Sequence, residues 1–164
     1  MTNIQNDLEL ILNISTEITG EQFGISVPLL ELEILNIGSR ALAVPKEGIS
    51  LLFSLRFSLT REGRTIFHGP SIGQPIKLEL DPLLPGKTKK MLFSPFHYDL
   101  GQTPLEAGIY NARVRVMPQT SLPFNSIFAV EFGDVCSNMV QLIVKNLNSK
   151  DEKHAIPGHE KTRP

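Results

Sequence analysis

Three groups of residues have types and spacing that could do chemistry. Gly69-Pro70-Ser71-Ile72-Gly73 has the form Gly-x-Ser-x-Gly. In a hydrolase such a serine sits on a strained turn between a strand and a helix, beside an oxyanion hole. Here the following residues, Gln74-Pro75-Ile76-Lys77-Leu78-Glu79-Leu80, alternate as a strand does, and the required helix is missing from the pattern. The second group is His68, His97, Asp99, Asp134 and Cys136. Imidazole and thiolate ligate borderline metals, and a cysteine near a histidine can be a nucleophile. No pair among them has a ligand spacing such as C-x-x-C or H-x-x-x-H. His154 and His159 are five apart in a polar stretch, and two ligands alone make a weak metal site. The sequence therefore assigns no catalytic residue, no cofactor and no metal ligand.

The third group suits binding. Phe96, His97, Tyr98 and Asp99 follow Pro95 in a loop-like segment. Aromatic anchors on loops carry much of the energy of protein interfaces. The competing reading is that Phe96 plugs the end of the core and Tyr98 covers it.

The elements that must position these residues have a period of two. Leu51, Phe53, Leu55, Phe57 and Leu59 alternate with Leu52, Ser54, Arg56 and Ser58. Tyr110, Ala112, Val114 and Val116 face away from Asn111, Arg113 and Arg115. Similar alternation runs through Leu30–Ile34, Ile76–Leu80 and Val140–Val144. Successive strand side chains point to opposite faces, so each run has one buried and one wetter face. Glu62-Gly63 has the form of a tight hairpin turn. Ten of the 12 prolines lie between Pro28 and Pro123, which excludes long helices there.

The pattern predicts strands at 8–14, 28–36, 50–60, 64–68, 76–80, 88–94, 109–117, 126–132 and 139–145. In the first of these Ile4, Leu8, Ile11 and Leu12 would equally fit a helical stripe, and the strand is preferred. If sequential strands reverse direction, loops 37–49, 69–75, 95–108 and 133–138 gather at one pole. Loops 15–27, 61–63, 81–87 and 118–125 then gather at the other. The first pole would bring His68, Phe96, His97, Tyr98, Asp99, Asp134 and Cys136 together.

Two stretches resemble bacterial immunoglobulin-like domains. One runs from Leu84-Pro85-Gly86-Lys87 through Asp99-Leu100-Gly101 to Gly108-Ile109-Tyr110. The other is Leu30 to Asn36 with Gly38 and Ala43-Val44. The group includes the intracellular proteinase inhibitor-like domains of bacilli. The resemblance implies an all-β, immunoglobulin-like antiparallel β-sandwich, taken over 1–147; from Asn146 the apolar period ends, and a flexible tail is expected over 148–164. The resemblance also implies a tyrosine corner at Tyr110, with the ring in the core and the hydroxyl bonded to upstream backbone. No inhibitory loop matches, so inhibition does not carry over with the fold.

Composition narrows the function classes. The chain has 164 residues, suited to one domain, and 41% hydrophobic residues with nine Phe and no Trp. A formal net charge of −1 gives no reason to expect nucleic-acid or membrane-surface binding. No run approaches the ~20 apolar residues of a membrane helix. Cys136 is the single cysteine, so no internal disulfide forms. A start at Met1 without a signal segment points to the cytoplasm. The expected function is a non-enzymatic interaction module that binds another protein, through Phe96, His97, Tyr98 and Asp99 if the first pole is used. The alternatives are an intracellular proteinase inhibitor and a small hydrolase or metal-dependent enzyme.

Overall fold

The computed structural model describes residues 7–46, 55–69, 79–98, 105–116 and 135–148, without the side chains of residues 17, 18, 97 and 98. Among these residues the chain is all-β. Its strands are β1 (Leu8–Gln22), β2 (Ile25–Asn36), β3 (Leu42–Pro45), β4 (Leu55–Arg61), β5 (Arg64–Gly69), β6 (Leu80–Leu83), β7 (Thr88–Phe93), β8 (Gly108–Val116) and β9 (Val140–Asn146). A 3-10 turn covers Pro95–Tyr98. No helix among the described residues is long and apolar enough to cross a membrane. The features predicted at 71–78, 118–125 and 126–132, residues 50–54 of the strand predicted at 50–60, and the tail from 149 onward lie outside the described residues.

Every strand pairing among the described residues is antiparallel. The main sheet has the order β1-β2-β9-β8-β4-β5, with β7 also on β2, and β3 pairs with β6 separately. Two strands share one edge of β2. Ile25 and Ser26 pair with Asn146 and Lys145 of β9, whereas Leu30 to Leu35 pair with Phe93 to Thr88 of β7. Continued along β2, β9 would put Val140 opposite Glu31, a place already held by Leu92. Strand β9 must therefore leave the plane, and β8, β4 and β5 leave with it.

The sequence of β2 permits this split. Its buried positions are Ile25 and Val27, then Leu30, Leu32, Ile34 and Asn36, a change of phase at Pro28 and Leu29. Opposite that change, the β1–β2 register slips between Ile14 and Thr19. Such a bulge bends and twists a strand pair. The two layers then face each other: Phe57 of β4 meets Phe93 of β7 edge-on at 5.9 Å. Leu8, Leu12, Leu32, Leu55, Val114 and Leu142 belong to the same buried cluster.

Both hairpin turns have two residues at positive φ, as the tightest hairpins require. These are Glu62-Gly63, at 51° and 74°, and Phe23-Gly24, at 53° and 76°. Tyr110 is 2% exposed. Its hydroxyl donates to the Glu106 carbonyl at 2.9 Å and accepts from the Glu106 N–H at 3.2 Å. That is the corner expected from Gly108-Ile109-Tyr110. The Arg61 guanidinium lies 5.6 Å from the ring centroid and against Gly108, where a Cβ would meet it at 3.1 Å.

The loop poles differ from the alternating count. Segment 37–49 holds a strand, β3, whose four residues are all buried and so show no alternation. Register leaves β4 and β5 running as the alternating count implies and reverses β7 and β8 against it. The turn at 84–87 therefore sits beside Asn36, through Gly86 N–H to the Asn36 carbonyl at 2.9 Å and Asn36 N–H to Lys87 at 3.1 Å. Cys136 bridges Arg115 at this same end. The 3-10 turn at Pro95–Tyr98 and Gly108 lie towards the other end, where Ile25 meets Asn146 and Leu147 N–H reaches Gly24 at 2.9 Å.

Asn36 fastens its end of the molecule. Its side-chain amide donates to the Arg40 carbonyl at 2.7 Å and the Leu83 carbonyl at 2.8 Å, and its oxygen accepts from Gly38 N–H at 3.0 Å. A side chain at Gly38 would collide with the Asp7 carboxyl. Asn36→Leu strands these partners, one bond of which is buried, and is expected to lower unfolding free energy by about 2–4 kcal/mol. Urea unfolding followed by circular dichroism checks this, with unchanged native strand content.

Candidate functional site

The outer face of β9, β8, β4 and β5 is set by alternation and register. The buried faces of β8 and β4 use Tyr110, Ala112, Val114 and Val116, and Leu55, Phe57 and Leu59. The remaining side chains point outward. Pairing across the strands then makes rows. Ile109 stands opposite Ile143. Asn111 stands between Thr60 and Gln141. Ser58 stands between His68 and Arg113. Arg56 stands opposite Arg115.

This face is chemically graded. At one end Ile109 and Ile143 are 57% and 49% exposed, with the exposed Lys145 two residues further along β9 and Leu147 beyond it. Phe23, 77% exposed, tips the hairpin at the same end of the molecule. At the other end Arg56, Arg113 and Arg115 are gathered with His68. Strands lie about 4.8 Å apart, and residues two apart on a strand are separated by about 7 Å. The three guanidinium groups therefore share one small area.

Like charges directly opposite one another in a sheet are destabilising. None of the ion pairs formed by the described residues involves Arg56 or Arg113; those pairs are Arg40–Asp7, Lys46 with Glu79 and Asp81, Arg61–Glu106, and Lys90 with Glu31 and Glu33. The Nε groups of Arg56 and Arg113 are also out of water and make no hydrogen bond. Arg115 is held differently, donating from Nε to Cys136 Sγ at 3.4 Å. Burial, then the charges of Arg56 and Arg115, hold the His68 imidazole below its ordinary pKa. The positive field is thus felt across two strands.

A second concavity, lined by Val44, Asp81, Pro82, Leu83, Thr88, Lys89 and Lys90, lies between β3–β6 and β7. Its charged groups are already engaged. Lys89 donates to the Pro45 carbonyl at 2.8 Å, Asp81 pairs with Lys46 at 3.9 Å, and Lys90 pairs with Glu33 at 3.0 Å.

The residues singled out in the sequence are dispersed. Phe96 is partly buried and packs against the core, and its N–H donates to Ser94 Oγ at 3.3 Å. The side chains of His97 and Tyr98, and all of Asp99, Ser71, Asp134, His154 and His159, lie outside the described residues. His68 is exposed on β5, and Cys136 lies next to the end of β8. The backbone of His97 belongs to the opposite end, so His97 and Cys136 are not brought together. Among the described residues no three His, Cys, Asp or Glu side chains are grouped to hold a metal ion. The arginines were visible in the sequence as the outward positions of their strands. Their convergence depends on register, which no local pattern encodes.

Arg56→Gln removes one of the adjacent charges and an unpaired donor. It is expected to raise stability by about 0.5–1 kcal/mol, read as a higher urea midpoint. In the same variant the NMR titration midpoint of His68 moves upward towards the ordinary histidine value of about 6.5. Below about pH 6.5 the unfolded imidazole takes up a proton more readily than the folded one, so the wild type loses stability as pH falls through the lowered midpoint. The loss is smaller in Arg56→Gln.

No family model matches the chain, and no curated protein matches it. Among solved structures, one that is similar is a structural-genomics target from Bordetella pertussis with the provisional name ApaA. It has TM-score 0.37 and 17% identity, over 83% of this chain and 89% of that chain. Another is the X-ray structure of structural-genomics target SoR45, with TM-score 0.35 and 12% identity, over 97% of this chain and 99% of that chain. Likenesses this remote carry no argument about function.

Proposed function

We propose that this chain is a non-catalytic protein-interaction module on an immunoglobulin-like β-sandwich, using the outer face of β9-β8-β4-β5 to bind another protein. The two-layer arrangement around β2 and the hydroxyl bonds of Tyr110 to Glu106 support the sandwich reading. The observation that carries the binding reading is the graded face. It joins exposed Ile109 and Ile143 to a row of arginines in which Arg56 and Arg113 form no ion pair with a described residue. A surface held at a cost in stability is commonly one kept for function. Apolar contact supplies affinity at interfaces, and arginine is enriched there. The single cysteine fits a reducing compartment such as the cytoplasm.

The test is affinity capture from native lysate with three baits: the full chain, the chain ending at Asn148, and the double variant Ile109→Asp/Ile143→Asp. Both substituted positions are exposed, so the fold should survive, and circular dichroism verifies it. The expected result is a protein retained by the first two baits and lost from the third. Equal retention by all three would remove this face from the proposal.

A further inference from the structure

We propose that the partner presents an acidic, extended segment to this face, with carboxylates on Arg56, Arg113 and Arg115 and an apolar side chain on Ile109 and Ile143. This deepens the interaction-module reading and rests on it.

Charge complementarity is the first argument. Arg56 and Arg115 are directly opposed, Arg113 is two residues along β8 on the same face, and His68 lies across Ser58 from it. No carboxylate among the described residues forms an ion pair with Arg56 or Arg113. Their unpaired Nε donors add to the deficit. Guanidinium groups bind carboxylates through paired, charge-assisted hydrogen bonds. An incoming carboxylate would screen the repulsion and, with a turn of the side chain, engage these donors.

Spacing is the second argument, and it selects a peptide. Ile109 and Arg113 are four residues apart on β8, about 14 Å, and Arg115 lies about 20 Å from Ile109. An extended segment has the same rise per residue. A ligand running along β8 thus meets the face with an apolar residue at its first position and acids at its fifth and seventh. Asn111, Thr60 and Gln141 lie between the two ends and can hydrogen-bond its backbone. A nucleic-acid strand needs a longer cationic track, and here the row beyond Arg113 is uncharged and the next is apolar.

The experiment uses the full chain on an array of seven-residue peptides. Each holds one leucine and two glutamates in a Gly/Ser background, with every leucine–glutamate spacing represented. Matched peptides carry glutamine or phosphoserine for glutamate. The expected result is strongest retention with leucine at position one and glutamate at five and seven. The glutamine counterpart is retained about tenfold less or weaker still, as loss of charge-assisted bonds implies. Arg113→Gln and Arg115→Gln, each shown to be folded by its thermal transition, reduce retention by a similar factor. Oligothymidylate does not compete.

Equal retention of glutamate and glutamine peptides would overturn the proposal. So would indifference to the arginine variants, retention of phosphoserine peptides alone, or displacement by oligothymidylate. If the lysate partner depends on Ile109 and Ile143 while the array shows no acidic preference, the interaction module stands and the acidic segment falls. If no partner depends on this face, the module itself falls.

Discussion

The structure depends on one strand serving two layers. Strand β2 gives its first residues to β9 and its later residues to β7, along a single edge. Backbone donors and acceptors on a strand must be paired, but two neighbours cannot occupy the same stretch. The conflict is resolved at Pro28 and Leu29, where the buried phase changes and the β1 register slips. Proline suits this place because it has no N–H to give to a ladder. Everything on the far side of the core is positioned by that switch, including Phe57 against Phe93 and the outward side chains of β8 and β4.

The core and the outer face are two consequences of the same alternation. Each inward Tyr110, Ala112, Val114 or Val116 fixes an outward Ile109, Asn111, Arg113 or Arg115 between them. Register with β4 then sets Arg56 beside Arg115. Repulsion between the guanidinium groups is small beside the burial of the strands' apolar faces, each large side chain contributing about 1.5–3 kcal/mol. The fold can therefore carry the charged group without yielding. On the other layer Glu31 and Glu33 stand opposite Leu92 and Lys90, and Lys90 holds both carboxylates. Charges there are neutralised locally, whereas Arg56 and Arg113 form no ion pair with a described residue.

Local signals were legible in the sequence wherever one face of a strand is wet. Phe57 and Leu59, Tyr110 to Val116, Leu30 to Ile34 and Leu142 to Val144 are all on buried faces as their alternation implied. Glu62-Gly63 forms its tight turn, and Tyr110 forms its corner. Strand β3 was hidden because Leu42, Ala43, Val44 and Pro45 are buried together, which erases the period. The first hairpin was hidden because Phe23 is not a turn-forming type; Gly24 supplied the only signal, and β1 and β2 run much further than the apolar alternation did. The reversed run of β7 and β8, which alternation does not show, separated Cys136 from the 95–98 turn. Arg56, Arg113 and Arg115 were readable one at a time as outward residues. Their meeting is a property of pairing between distant segments, so the candidate face emerged only with the register.

The two strands that share one edge of β2 diverge into facing layers, which enclose one core and expose one graded face. Proton–proton NOE contacts between the rings of Phe57 and Phe93, in selectively phenylalanine-labelled protein, test this arrangement most directly. The account requires cross-peaks between these rings, together with β8–β9 contacts between Ile109 and Ile143. If the strand pairings are intact but Phe57 and Phe93 show no contact, the two layers do not face one another, and the account of both core and face is contradicted.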